Sequence, residues 1–248
     1  MLVVAAQTPA LARNPNGIDS LLRAYPEDLQ GFDGENLIWR DGTRMPVGPE
    51  HPADTLAQAI RGAAILDMFR SPYPRGSMDS PPTFDADPGR VRDRAFFAKM
   101  YGDCRRGEVE PRLVPIIWLQ KTWGHAVRVT SVNGVARHLE AVSREIDDMP
   151  AAIKRFAWPL GGTYTCRAVA DTGEPSLHGA GAAIDINVAL SDYWFWRRST
   201  IYVNRIPPEI VAAFERHGFI WGGKWFHFDT MHFEYRPELL GLADSGDE

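Results

Sequence analysis

The chain lacks the features that would place it in several large classes. It has no run of about 18 apolar residues, so no segment reads as a membrane-crossing helix. Its formal net charge of -5 over 248 residues comes from interspersed acids and bases. With no basic stripe, a nucleic-acid partner is not expected, and with no block of like charge, a charged disordered tail is not expected either. No internal repeat is visible. Cysteine is scarce: Cys104 and Cys166 are too far apart for a metal knuckle, which leaves either one disulfide or two buried thiols. The N-terminus lacks the basic start of a secretory signal, although Met1 to Ala6 is apolar and Ala10-Leu11-Ala12 has the small-x-small form of a signal-peptidase site. Two readings of residues 1–12 stand, the remnant of an export signal or an ordinary chain terminus.

A hydrophobic content of 44% is ample for a packed core. Residues 13–52 are rich in Gly, Pro, Asn and Asp and read as extended or turn structure. Leu56, Ala59, Ile60, Ala63 and Ala64 recur at helical spacing, which predicts one helix over 52–69. Asp87-Pro88 reads as the start of the next helix, with Val91, Ala95, Phe96 and Met100 on its buried face and Gly102 at its end. Strands are expected over 113–120 and 127–132, then a helix capped by Asn133 that buries Val135, Leu139, Val142 and Ile146 and stops at Pro150. Pro150 is the expected boundary between a helix-rich region, 13–150, and a chemistry-bearing core, 151–248. In the core, a strand over 163–169 carries Arg167, Tyr193 to Trp196 form an aromatic cluster that either lines a cleft or simply packs, and Pro207-Pro208-Glu209 opens a short helix. The last strand is expected over 225–233.

Two separated stretches carry the chemistry. His178 and Asp185 are joined by a glycine-containing segment, while Asp229 and His232 lie near the C-terminus. Two imidazoles and one carboxylate (His178, Asp185, His232) supply three ligands for Zn²⁺ and leave a fourth position open, as in catalytic rather than structural zinc. For both early ligands to reach one ion, His178 must sit in a glycine-rich turn that doubles back onto a strand. That strand begins at Ala183 and turns Ile184, Ile186 and Val188 to the core, with Asp185 on the opposite face. On a regular strand, Asp229 and His232 would point to opposite faces, so a bend is predicted at Thr230-Met231.

Zinc lowers the pKa of bound water to about 7 and polarises a carbonyl. Asp229, not needed as a ligand, fits the general base and later acid. Arg167 is the fixed cation for an oxyanion or a substrate carboxylate. Glu234, two residues beyond His232 on the same strand face, is placed to hydrogen-bond a ligand imidazole. His227 is either a supporting partner of the site or plain packing.

With Ser176, His178, Gly181, Ala183 and Asp185, followed by Asp229 and His232, the sequence resembles the zinc D,D-carboxypeptidases and L-alanyl-D-glutamate endopeptidases of bacterial cell walls and phage lysins, the VanY-like or hedgehog-type zinc peptidases. The resemblance covers about 161–240. It implies zinc at His178, Asp185 and His232, Asp229 as catalytic acid/base, and substrate contacts from Arg167 and Ser176. The implied fold is α+β: a small antiparallel sheet carries the ligands and is packed with helices, behind an N-terminal helix-rich extension. The implied substrate is a peptidoglycan stem peptide, cut by metal-activated water. Such a substrate implies export, to the periplasm or the cell wall. Carboxypeptidase members commonly carry Glu where this chain has Asp229, which resembles the endopeptidase branch. Two other functions are open, a non-catalytic zinc-stabilised cell-wall binding module and a metal hydrolase acting on another amide or ester.

Overall fold

The structure, a computed structural model, describes residues 15–241 except 79, 170, 171 and 200. The stretch 1–12, expected to be an export remnant or a plain terminus, lies outside the described residues. The fold is α+β, with three small antiparallel sheets and short helices.

Residues 13–52 are more regular than their composition suggests. Helix α1 (Pro15–Ala24) buries Ile18, Leu21 and Ala24. A meander of β1 (Leu29–Phe32), β2 (Asn36–Trp39) and β3 (Arg44–Pro46) follows it. The turn between β1 and β2 is held by Asp33, whose carboxylate accepts from the backbone of Glu35 and Asn36. Here the Gly, Pro, Asn and Asp mark the turns of a sheet, while the apolar spacing at 18, 21 and 24 makes the helix.

The single helix expected over 52–69 is broken. Thr55 caps α2 (Leu56–Ile60) in a capping box with Gln58. Gly62 then adopts φ +70, and a 3-10 turn, Ile65–Phe69, continues the chain. The buried Asp67 carboxylate accepts from the backbone of His51 and Ala64, a local alternative that outcompetes helical pairing.

The next helix, α3 (Arg94–Tyr101), starts later than expected. Asp93 caps it by accepting from Phe96 N at 2.8 Å, and Gly102 ends it. Asp87 is engaged elsewhere: its carboxylate accepts from His227 N at 3.0 Å and pairs with the His227 ring and Arg90. These bonds hold residues 87–92, which turn at Pro88-Gly89, as a strap laid over the C-terminal half.

The two expected strands are present as β4 (Leu113–Trp118) and β5 (His125–Thr130), and they pair as an antiparallel hairpin. Helix α4 (Val135–Asp147) buries the four expected residues but is not capped by Asn133. Asn133 itself has φ 53, and the left-handed Gly134 occupies the cap position with no side-chain bond. A side-chain cap needs extended backbone at the cap residue, which neither provides.

After the short α5 (Ala151–Lys154) comes the sheet that matters most, β6 (Ala183–Asp185), β7 (Phe219–Trp221) and β8 (His232–Tyr235), in the order β6-β8-β7. The first strand is shorter than expected. Ile184 and Ile186 are fully buried, but Val188 lies in an exposed 3-10 turn capped by Asn187. The last strand starts at His232 rather than near 225, because Asp229 N donates back to Gly222 O and holds 222–229 as a loop. Around the sheet lie α6 (Trp194–Arg197), α7 (Pro208–Arg216) and α8 (Pro237–Leu240).

One apolar cluster includes Leu21, Phe96, Trp118, Leu139, Ile184, Phe214 and Phe233, so residues on both sides of Pro150 share it. Phe214 of α7 stacks on Phe233 of β8 with ring centroids 3.8 Å apart, which fixes the back of the strand that carries His232. Cys104 and Cys166 form a disulfide. No helix among the described residues is long and apolar enough to cross a membrane.

Two predictions follow from this packing. Phe214→Ala should lower unfolding free energy by about 3–5 kcal/mol in urea titrations. Asp87→Asn should cost about 2–4 kcal/mol at neutral pH by removing the charge that holds the strap. Burial opposes ionisation of Asp87, but the His227 hydrogen bond and Arg90 outweigh it and hold the carboxyl below its ordinary value. The difference between wild type and Asp87→Asn should therefore be complete above the unfolded carboxylate pKa of about 3.9. It should shrink as pH falls through the lower folded value, as unfolding free energies measured from pH 7 down to pH 2 would show.

Candidate metal centre

Ser176 accepts from His178 N and so caps a 3-10 turn, Leu177–Ala180, on which His178 sits. The turn ends at Gly181, with φ +69. A Cβ there would lie 2.6 Å from Leu113 Cδ2 and 3.0 Å from Thr130 N, so glycine is required by both conformation and space. The chain then enters β6, where Asp185 stands directly across from His232 of β8. Directly opposed residues share a sheet face, which brings carboxylate and imidazole together. The doubling-back expected between His178 and Asp185 is present.

The expected bend at Thr230-Met231 is also present: these residues form a turn closed by His232 N donating to Asp229 O at 3.2 Å. Behind it, a Cβ at Gly222 would meet Asp229 O at 2.6 Å. Only glycine lets this loop close.

The three side chains converge. His178 Nε2 lies 3.1 Å from Asp185 Oδ1 and 3.2 Å from His232 Nδ1, and His232 Nδ1 lies 3.0 Å from Asp185 Oδ1. The outer ring nitrogens decide the tautomers. His178 Nδ1 donates to Thr163 O, and His232 Nε2 donates to Glu234 Oε2 at 3.1 Å. With those protons facing outward, the inward atoms of both neutral rings and the carboxylate are all lone-pair donors. Three lone pairs at this separation require a positive charge among them, either a shared proton or a cation.

The electrostatics agree. Burial disfavours charge on His232, yet Asp185 and Glu234 outweigh it and raise its pKa to about 10. Burial likewise opposes ionisation of Asp185, but His178 and His232 hold it well below the usual carboxylate range. His178, Asp185 and His232 therefore form a group able to hold a metal ion, with candidate ligand atoms all within 4.8 Å of one another. The donor set of two nitrogens and one carboxylate oxygen is of the kind that holds first-row divalent ions such as zinc or iron(II).

Asp229 lines the same cleft, and its Oδ1 is buried without a protein hydrogen-bond partner. Burial first, and the nearby Asp185 carboxylate second, push its pKa up to about 7. Arg167 places Nη2 at 3.9 Å from Asp185 Oδ2 and remains half exposed. It does not lie on a strand as expected. The segment carries a single bridge, Ala168 to Pro175, held by Ser176 N donating to Arg167 O at 3.2 Å and Val169 N donating to Glu174 O at 2.8 Å, too short a pairing to make a strand. Ser176 also lines the cleft, although its hydroxyl is used as the cap. The His227 ring pairs with Asp87 at 2.9 Å. Tyr193 and Trp196 of the aromatic cluster line the cleft, which has a volume of about 300 Å³.

The sequence reading missed the contribution of the strap. Arg90 and Arg92 line the cleft, and Arg92 Nη2 donates to Glu234 Oε2 at 2.6 Å. The only signal was the alternation Arg90-Val91-Arg92, which the helix expected there concealed.

Residues 170–235 match the family model described as D-alanyl-D-alanine carboxypeptidase. The match is to a peptidase family and spans His178, Asp185, Asp229 and His232, but stops short of Arg167 and the strap. No curated protein and no solved structure matches the chain.

Glu234 gives this site its most direct test. Glu234→Gln keeps the shape but weakens the acceptor that orients His232, so Zn²⁺ affinity measured by competition with a chelating dye should fall about 10–100-fold.

Proposed function

We propose that the protein is a zinc peptidase that hydrolyses a bond in the peptidoglycan stem peptide. The reading is carried by the convergence of His178 Nε2, Asp185 Oδ1 and His232 Nδ1 beside the unpartnered Asp229 Oδ1. A structural zinc site has no use for a buried, unpaired carboxyl at its side, so this feature favours the enzyme over a binding module. Zinc held there supplies Lewis-acid polarisation of a carbonyl and makes water acidic enough to react near neutral pH.

The chain's own residues do the rest. Asp229, whose proton affinity lies near neutrality, takes the proton of the attacking water and returns it to the departing amine nitrogen. Arg167 faces the cleft as a fixed cation for the charge that develops on the carbonyl oxygen or for a substrate carboxylate. Thr163 O and Glu234 keep the two imidazoles in the tautomers that point lone pairs inward. Tyr193 and Trp196 form one wall.

The family description favours D-alanyl-D-alanine carboxypeptidase activity, while the short carboxylate at 229 favours the endopeptidase branch. Both bonds contain a D-residue that ordinary proteases do not cut. A cell-wall substrate goes with export, and the Cys104–Cys166 disulfide suits an oxidising compartment.

Asp229→Ala should lower kcat by about 10²–10⁴-fold with zinc stoichiometry unchanged. Turnover equal to wild type would remove Asp229 as the base. Mass spectrometry of a peptidoglycan digest identifies the bond: free D-alanine marks the carboxypeptidase and split stems the endopeptidase. No cleavage by the zinc-loaded protein would sink the reading.

A further inference from the structure

A second cavity of about 310 Å³ lies beside the metal cleft, between α3 and the 163–176 segment. The two are continuous, since Arg90, Arg92, Arg167 and Ser176 line both. The second cavity adds Arg94 and Arg105, so five guanidinium-bearing residues border it. Two acids also border it, Asp103 and Glu174.

The five arginines are not equally committed. Arg92 is bound to the buried Glu234, and Arg90 to the buried Asp87. Among the described residues Arg94 pairs with the partly exposed Glu174, at 3.3 Å, with its own side chain 58% exposed. An exposed pair of this kind contributes little and is readily exchanged for a better acceptor. Among the described residues no carboxylate pairs with the exposed Arg105 guanidinium. Asp103 uses one carboxylate oxygen to cap the backbone at Arg105. Positive charge therefore exceeds negative around a recess whose floor, Phe97, Leu177 and Ala180, is apolar.

The walls are also fixed in place. Cys104, beside Arg105, is bonded to Cys166, beside Arg167, so the disulfide ties one cationic wall to the other. Glycine at 179 keeps that junction tight, since a Cβ there would lie 3.2 Å from Cys104 Sγ. Guanidinium groups beside an apolar surface fit a carboxylate that branches from an aliphatic stretch of peptide.

We propose that this cavity is a substrate subsite for a carboxylate-bearing part of the peptide, with Arg94 and Arg105 as its anion-holding residues. The proposal rests on the peptidase reading above and extends it to substrate selection. Neither arginine lies in the segment that matches the peptidase family.

The test is isothermal titration with two peptides, L-Ala-γ-D-Glu-L-Lys and the same peptide with the internal carboxylate converted to a carboxamide. The wild-type protein should bind the acid form about tenfold more tightly or better, and added salt should reduce the preference because both arginines are exposed. The Arg94→Gln/Arg105→Gln protein should bind the two forms equally and melt at the wild-type temperature. Equal binding of both peptides by wild type, or a preference that survives in the double variant, overturns the subsite. Cleavage is scored separately, on the stem pentapeptide with zinc loaded. Preference for the acid form without any cleavage would leave the subsite standing and remove the peptidase reading.

Discussion

Fully buried on β8, Glu234 serves three partners at once: Arg92 at 2.6 Å, His232 at 3.1 Å and Arg236 at 3.2 Å. Arg236 continues the chain to Glu238 at 2.5 Å, and Glu238 accepts from Tyr25 at 2.6 Å. The result is a buried line of alternating charge from the end of α1 to the imidazole of His232. Burying charge is costly unless every partner is present, so the line holds as a unit or not at all. Arg92 belongs to the strap before α3 and Tyr25 follows α1, so the N-terminal half is bonded directly into the support of His232. The short sheet has too few ladder hydrogen bonds to do this alone.

Charge balance explains why the centre and its support use opposite strategies. Glu234 and Glu238 face Arg92 and Arg236, two against two, so their fixed charges balance. In the centre, three inward lone pairs face no fixed cation closer than Arg167, at 3.9 Å from Asp185. Asp229 adds a fourth polar group, and burial beside Asp185 favours its protonated form. A cation at the triad would offset the Asp185 charge that keeps this proton on, so ion binding and proton release at Asp229 are linked. The support is balanced by fixed charges, whereas the centre turns its lone pairs towards one another and opens to the cleft.

The local geometry of the centre was legible in the sequence because short-range constraints set it. Gly181 between His178 and Asp185, and the three-residue spacing of Asp229 and His232, each demanded a particular backbone form, and each is found. Elements whose ends depend on distant partners were not legible. Asp87 and Asp93 are equally good helix caps by residue type; only His227, 140 positions away, draws Asp87 off. Likewise, Asp67 breaks the 52–69 helix through bonds to His51. The helix of residues 15–24 was passed over because turn-forming residues around it dominated the composition.

The matched segment, 170–235, contains the candidate ligands and Asp229 but does not complete its own cleft. One wall is built by Arg90 and Arg92 from the strap, and Trp225 is held against that strap through its Nε1 donating to Pro88 O at 2.8 Å. Trp225 in turn lies against the His232 ring, with centroids 5.4 Å apart. The floor of the turn carrying His178 is set by Leu113 and Thr130, whose contacts with Gly181 leave no room for a Cβ. Thr130 N also donates to Gly181 O at 2.9 Å, which ties that turn to the β4–β5 hairpin. The first half of the chain is thus structural material of the site: it orients one imidazole through Glu234, seats the other through Gly181, and supplies the cationic side of the cleft. A ligand set with the right spacing becomes a cleft only when these distant residues close around it.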